Sequence, residues 1–109
     1  MDEIGINNFR STVFKALGDP SRLKILDFLR TGEKCVCAIV PTIGYTQPTV
    51  SRHLKVLIDC GILRRRKEGN RILYSVTSPK IYNLIDSMDS RFIEALSSYV
   101  IARIQQGQL

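Results

Sequence analysis

The strongest hydrophobic pattern in the chain lies between Tyr45 and Gly61. Four apolar residues fall at i, i+4, i+7 and i+8 and form one stripe on a helix: Val50, Leu54, Leu57 and Ile58. Thr46 is an N-cap residue type whose hydroxyl can accept a first-turn amide, and Pro48 is tolerated so early because its missing N–H has no intrahelical partner. Since Gly61 favours a left-handed helix end, the pattern predicts a helix over residues 46–60.

Three shorter helices are predicted upstream, over residues 4–17, 21–30 and 35–43. The first carries a short apolar stripe of Phe9, Val13 and Leu17. The second follows Asp19-Pro20, a cap residue and a first-turn proline, and is apolar on nearly every side, which predicts a central position. The third is irregular at Pro41 and is followed by a turn at Gly44. A helix, a short turn and a second helix form a helix-turn-helix unit, whose second helix enters the major groove of DNA.

A β-hairpin is predicted after Gly61. Residues 62–66 and 71–76 are short runs of strand-forming residues, and residues 67–70 form the turn between them. Helices followed by such a hairpin make a winged helix-turn-helix. The predicted fold is therefore mainly α with a small β-hairpin wing, in the order α-α-α-α-β-β-α.

The last predicted helix covers residues 79–104 and opens at Ser78-Pro79. A helix of that length spans about 39 Å, more than a small winged domain covers by itself. We therefore expect a twofold dimer that forms through the first and last helices. The predicted dimer interface contains Phe9, Val13, Ile85, Met88, Phe92, Leu96 and Tyr99.

Length and charge narrow the function classes. A chain of 109 residues fits one domain over residues 1–109, and a formal net charge of +6 favours a polyanionic partner. No apolar run approaches the roughly 20 residues of a membrane span, and the N-terminus lacks the pattern of a secretory signal. We expect a cytoplasmic protein with reduced cysteines, because three cysteines cannot close into a full disulfide framework.

The surface of the 46–60 helix and the cations of the wing predict a DNA interface. On a helical wheel the polar side chains point away from the apolar stripe and offer amide, hydroxyl and cationic groups for base edges and phosphates. Predicted to read or approach bases are Gln47, Thr49, Ser51 and Arg52, and Pro48 is predicted to belong to the same DNA interface. Predicted to contact phosphate are His53, Lys55, Arg64, Arg65, Arg66, Lys67 and Arg71. In a dimer, two such surfaces address double-stranded DNA with an inverted-repeat operator.

Three stretches resemble the arsenic-repressor (ArsR/SmtB-type) family of winged helix-turn-helix transcription regulators. They are Leu17–Leu26, Glu33–Cys37 and Thr46–Leu57, the last followed by Gly61-Ile62-Leu63. The resemblance implies a homodimeric repressor that leaves its promoter when an inducer binds, often a metal or metalloid.

The chain also departs from that family. Arsenic-sensing members have a third cysteine three residues after the paired ones, where this chain has Val40. Zinc-sensing members carry aspartate and histidine ligands in the last helix, but here Asp86 and Asp89 have no histidine beside them. The one histidine of the chain, His53, lies in the predicted recognition helix, so a zinc site in the last helix is disfavoured.

Three interpretations of the cysteines stay open. Cys35 and Cys37 could give two soft thiolates to a thiophilic ion, with a third ligand from Cys60 or an exogenous thiol. They could instead sense thiol redox state, and because a bridge across one residue closes a strained ring, such sensing favours Cys60 or an intermolecular partner. The third interpretation is that all three cysteines only pack.

Two other function classes are weighed against a DNA-binding repressor. One is a winged helix that serves protein contacts in a larger assembly, with incidental DNA affinity. The other is a small thiol enzyme, which is disfavoured because no histidine or second acidic group accompanies the cysteines and their spacing is not Cys-x-x-Cys. We therefore predict a sequence-specific transcription regulator, most simply a repressor, that is not an enzyme.

Overall fold

The computed structural model describes residues 1–107, so the last two residues of the predicted domain lie outside it. Its contacts divide the chain into two compact units, and the boundary along the chain falls between Ser78 and Pro79. The first unit contains α1 (Glu3–Leu17), α2 (Pro20–Phe28), a 3-10 turn (Leu29–Thr31), β1 (Lys34–Cys35), α3 (Val36–Ile43), α4 (Gln47–Asp59), β2 (Leu63–Glu68) and β3 (Arg71–Val76). The second contains α5 (Lys80–Asp86) and α6 (Ser90–Gln105). The expectation of a single domain stays a prediction.

The core of the first unit forms where α2, α3 and α4 pack together. Its fully buried side chains are Ile25, Leu26, Leu29, Ile39, Val50, Leu54 and Leu57. The central position predicted for the second helix is confirmed by Ile25 and Leu26, both without exposed surface. Three of the four stripe residues of α4 belong to this core, whereas Ile58 is only half-buried.

The start of α4 corrects one detail of the prediction. Thr46 is the N-cap residue, but its hydroxyl makes no hydrogen bond to a first-turn amide. It donates instead to Thr49 Oγ1 at 3.0 Å. Pro48 lies in the first turn as predicted, and Gly61 has a positive φ of 84° just after the helix.

The sheet has a strand that the hydrophobic pattern did not predict. Its order is β1-β3-β2, and β1 is antiparallel to β3 with Cys35 opposite Leu73. The prediction that a helix begins at Cys35 is therefore wrong. Cys35 has extended backbone angles, which suit both the ladder and the N-cap of α3, and its Sγ accepts the Cys37 N–H at 3.1 Å.

The predicted hairpin is confirmed, with Leu63 opposite Val76 and Glu68 opposite Arg71. Gly69 has a φ of 59° in the two-residue turn, and a positive φ there lets a tight hairpin follow the twist of its strands.

The single helix predicted over residues 79–104 is wrong, because the chain breaks between α5 and α6. Asp89 has extended backbone angles and its Oδ1 accepts the Phe92 N–H at 2.9 Å, which caps α6. Ser87 Oγ donates to the Leu84 carbonyl at 2.6 Å at the end of α5. These local hydrogen bonds compete with a continuous helix. No helix within residues 1–107 is long and apolar enough to cross a membrane.

Candidate nucleic-acid interface

The N-terminal part of α4 presents the residues that were predicted to meet bases. Gly44, with a φ of 85°, ends α3 and turns the chain toward α4. Three of the four side chains predicted to read bases are exposed, namely Gln47, Ser51 and Arg52, and Thr49 is half-buried. Pro48, in the same predicted interface, is also exposed. This surface combines an amide, hydroxyls and a guanidinium, the groups that pair with base edges in a major groove.

Arg52 is held in place by a hydroxyl on the same helix. Its Nη2 donates to Thr49 Oγ1 at 3.2 Å, and that oxygen also accepts the Thr46 hydroxyl at 3.0 Å. The three side chains thus form a small hydrogen-bond network at the N-terminal end of α4. The hydrogen bond to Thr49 uses one of the five N–H donors of Arg52 and leaves the others for a base edge or a phosphate.

Lys55, one turn further along α4, forms an ion pair with Asp59 at 2.9 Å. Both side chains are exposed, so solvent screens the pair and a phosphate can replace the carboxylate. Lys55 can therefore make the predicted phosphate contact, but only if its ion pair with Asp59 breaks.

His53 faces α2. Its Nδ1 lies 3.2 Å from Arg22 Nη1, and because a guanidinium only donates hydrogen bonds, Nδ1 is the acceptor. The ring is half-buried, which leaves Nε2 as the atom that can meet a phosphate. The contact with Arg22 gives His53 a role in positioning α4 that the sequence did not reveal.

Arg22 joins three helices of the first unit, a role that no sequence pattern predicted. Its Nε donates to the Ala16 carbonyl at 2.6 Å and its Nη2 to the Lys15 carbonyl at 3.2 Å, both at the end of α1. Asp19 lies 4.0 Å from its Nη1. The amides of Arg22 and then Ser21 donate to Asp19, and these hydrogen bonds lower the pKa of its carboxyl group. No local sequence signal pairs an arginine in α2 with a histidine in α4.

The wing places its cations on both faces of the hairpin. Neighbouring side chains on β2 alternate between faces, so Arg64 and Arg66 share one face and Arg65 and Lys67 the other. Arg64 Nε donates to Ser75 Oγ at 3.3 Å. Within residues 1–107, Arg65, Lys67 and Arg71 form no ion pair, and all three are exposed. Their charge is available to a polyanion.

Arg66 differs from the other wing cations because two carboxylates hold it. Its Nε and Nη2 donate to the two oxygens of Glu33 at 2.9 and 2.7 Å, and Nη2 also lies 2.8 Å from Glu68. The hydrogen bonds with Arg66 hold the pKa of Glu33 below its usual range, and those with Glu33 and then Glu68 raise the pKa of Arg66. Arg66 was predicted from the sequence to contact phosphate, and no sequence pattern indicated its ion pair with Glu33.

The cysteine pair lies at the start of α3. Cys35 is buried, Cys37 is exposed, and their sulfur atoms are joined in a disulfide, with the Cα atoms 5.0 Å apart. For these two residues the expectations of reduced thiols and of no direct bridge are therefore wrong in this structure. The extended N-cap and the first helical turn bring both sulfurs to one point.

Cys60 is separate from that pair. It is buried and donates its S–H to the Leu57 carbonyl at 3.4 Å. Among residues 1–107 no group of three or more histidine, cysteine, aspartate and glutamate side chains could hold a metal ion. The structure thus contradicts Cys60 of the same chain as a third ligand beside Cys35 and Cys37.

The predicted dimer residues leave apolar surface on both units. On α1, Phe9 is 50% exposed and Val13 is half-buried. Ile85 on α5 is half-buried, and Met88 lies exposed between α5 and α6. On α6 the exposed set is Phe92, Leu96 and Tyr99. Exposed apolar patches of this kind mark interaction surfaces.

Residues 19–65 match the family of bacterial regulatory proteins designated arsR. Over 72 residues the chain is 43% identical to a probable mercury resistance operon repressor of Streptomyces lividans. The matched region covers 66% of this chain and 58% of that protein. Over 79 residues it is 38% identical to an arsenical resistance operon repressor of Staphylococcus aureus, covering 72% and 76% of the two chains. The chain thus spans less than two thirds of the length of the Streptomyces relative.

A solved structure shares the fold. It is the solution structure of a homodimeric winged helix-turn-helix DNA-binding domain from Mycobacterium bovis, a possible ArsR-family transcriptional regulator. The TM-score is 0.77 at 28% identity, over 87% of this chain and 93% of that one. The likeness includes the winged helix-turn-helix that the sequence predicted.

Proposed function

Since this chain belongs to the arsR family of bacterial regulatory proteins, we propose that it is a dimeric repressor that binds an operator and releases it when an inducer arrives. Family membership and the winged helix-turn-helix fold are confirmed predictions. One observation carries the proposal: the exposed polar tip of α4 and a strongly basic hairpin belong to the same compact unit. We infer that the protein acts in the cytoplasm, where a regulator meets its promoter.

In the proposed complex, α4 lies in the major groove and the wing contacts the backbone. Gln47, Thr49, Ser51 and Arg52 read or approach bases, with Pro48 beside them at the helix tip. The remaining contacts, to phosphate, come from His53, Lys55, Arg64, Arg65, Arg66, Lys67 and Arg71. Two copies related by a twofold axis require an operator with an inverted repeat, because each recognition helix reads one half-site.

The dimer in this proposal covers the apolar faces of α1 and α6 with those of a second copy. Leu96→Asp on the α6 face is expected to raise the dimer dissociation constant by at least about tenfold, because a leucine that the proposed dimer covers is replaced by a charge. Ser98→Asp adds the same charge on the opposite side of α6 and should leave the dimer unchanged. Sedimentation equilibrium of both variants checks this, and equal dissociation constants would contradict the assigned face.

The inducer in this proposal is a thiophilic ion bound by Cys35 and Cys37. Two soft sulfurs that converge at one point suit As(III), Cd(II) or Hg(II), and the named relatives are repressors of mercury and arsenical resistance operons. The pair must be reduced before it binds an ion. A third ligand has to come from outside this group of side chains, either from an exogenous thiol or from the second protomer.

The disulfide between Cys35 and Cys37 favours a second candidate signal, the redox state of this pair. Oxidation of the dithiol to the disulfide at the N-cap of α3 would then report on the oxidant in the cell, and a small thiol would reverse it. Both candidates use the same two sulfurs, so one experiment separates them.

That experiment is a fluorescence-anisotropy titration of the dimer on DNA from its own promoter and on random duplex. The reduced protein is measured with and without As(III), Cd(II) and Zn(II), and the oxidised protein without them. Release by a thiophilic ion that vanishes in Cys35→Ser/Cys37→Ser is the expected result. Release on oxidation alone would favour the redox signal, and no preference for the promoter over random duplex would contradict the proposed function.

A further inference from the structure

The residue directly before the strand that carries Cys35 is the counter-ion of a wing cation. Cys35 lies opposite Leu73, and Leu73 lies opposite Arg66, so these three residues form one row across the sheet. Cross-strand neighbours point to the same face, and Glu33, which precedes β1, contacts Arg66 at the end of this row. The geometry explains why Glu33 reaches Arg66 although 33 positions separate them in the sequence.

We propose that Glu33 competes with the DNA backbone for Arg66, and thereby sets the affinity of the wing for phosphate. This inference rests on the proposed function. The guanidinium presents Nε and Nη2 as a fork, and Glu33 occupies both prongs at 2.9 and 2.7 Å. A phosphodiester uses the same fork in the same bidentate way. Arg66 therefore cannot bind both anions along that edge.

The position of Glu33 makes it a persistent competitor. Its side chain is 30% exposed, against 59% for Glu68, the other carboxylate on Arg66. Glu33 is anchored by the β1–β3 ladder that begins at Lys34, whereas Glu68 lies at the tip of the hairpin beside the turn. The charges of Arg64 and Arg71 also act on Glu33. One carboxylate thus offsets part of the positive charge of Arg66, Arg64 and Arg71.

This pairing makes the wing sensitive to the strand that bears the cysteine. Bidentate binding of a phosphate along the Nε and Nη2 edge of Arg66 requires the Glu33 pair to open, and a displacement of β1 would change how firmly that pair is held. Glu33 is in this sense an affinity-setting residue for the backbone, whereas the residues of α4 set the choice of sequence.

The test is Glu33→Gln, which keeps the shape of the side chain and removes its charge. Anisotropy titrations on promoter and random duplex over a range of salt concentrations should show binding about two- to fivefold tighter on both, the size expected for release of an exposed ion pair. The slope of log K against log salt should steepen by up to about 0.9, because one more phosphate is neutralised.

Two controls separate local competition from a general change of charge. Glu3→Gln changes the net charge equally in the first turn of α1, and should show less than half of the gain. In an Arg66→Gln background, Glu33→Gln should gain no more than Glu3→Gln does. Equal gains in Glu3→Gln and Glu33→Gln, or a full Glu33→Gln gain that persists without Arg66, would overturn the inference.

The same titrations distinguish the two proposals. Promoter and random duplex bound equally by the wild type would sink the proposed function while the response of Glu33→Gln on random duplex still decides the inference. Absence of binding to any duplex at low salt would overturn both.

Discussion

Replacing Leu54 with alanine is expected to lower the free energy of unfolding by about 2–5 kcal/mol, the range for leucine truncation in a well-packed core. Leu54 is 1% exposed and lies in the middle of α4, which packs against α2 and α3. Small domains have roughly 5–15 kcal/mol of stability in total, so the loss is a large share of what holds the recognition helix in place.

Urea denaturation followed by circular dichroism measures this change. The matched control is Val56→Ala, two residues away on the same helix, where the side chain is 39% exposed and alanine is the better helix former. Val56→Ala should change the free energy of unfolding by less than about 0.5 kcal/mol. A loss below 1 kcal/mol for Leu54→Ala would contradict the assignment of this residue to the core.

Leu54 also illustrates what could be predicted from the sequence. Its stripe with Val50 and Leu57 repeats with the period of a helix, and burial of one face is a local consequence of that period. The hairpin could be predicted for the same reason, because strand formers surround a short turn with Gly69 at its centre. The recognition helix and the wing, and hence the fold, could be predicted because their signals are local in the sequence.

Features that depend on pairing between residues far apart in the sequence could not be predicted. β1 is only two residues long and exists because Lys34 and Cys35 meet β3, some 40 positions further along the chain. A two-residue strand has no period of its own, so the pattern favoured helix through Cys35. The direct bridge between Cys35 and Cys37 was disfavoured for a different reason, the strain expected of a ring across one residue, whereas the extended backbone at the N-cap of α3 brings both sulfurs together.

The prediction of a continuous helix through Asp89 was wrong for a different reason. Its signal was present, because an aspartate three residues before an amide can cap a helix that starts after it. The long apolar stripe ran through Met88 on both sides of the break and outweighed that signal. Hydrophobic periodicity records which face is apolar but does not record whether the backbone is continuous.

The polar partners of the interface were the hardest part. Counting cations predicted a basic wing, yet charge alone does not tell which cation is already paired. Arg66 is held by Glu33, and Arg22 holds His53, in contacts that span 33 and 31 positions. A long cationic side chain can reach several polar partners, and the tertiary structure decides which of them it contacts.

Arg52→Ala is expected to weaken binding to the promoter by about 1–3 kcal/mol and to weaken binding to random duplex by much less. The side chain is exposed on α4, and its bond to Thr49 keeps Nη2 near the helix tip. An arginine fixed in this way can present its other donors to the O6 and N7 of guanine. Alanine is a good helix former, so the fold should not change.

Arg52→Lys and Lys55→Ala complete the test of this residue. Lysine keeps the charge but loses the planar fork, so Arg52→Lys should retain affinity for random duplex while its preference for the promoter falls. Lys55→Ala should weaken both duplexes alike, because its ammonium meets only phosphate in the proposed complex. Anisotropy titrations at one fixed salt concentration compare the three variants. Equal weakening of promoter and random duplex by Arg52→Ala would sink its assignment as a base reader, and would leave Gln47, Thr49 and Ser51 to carry the sequence preference.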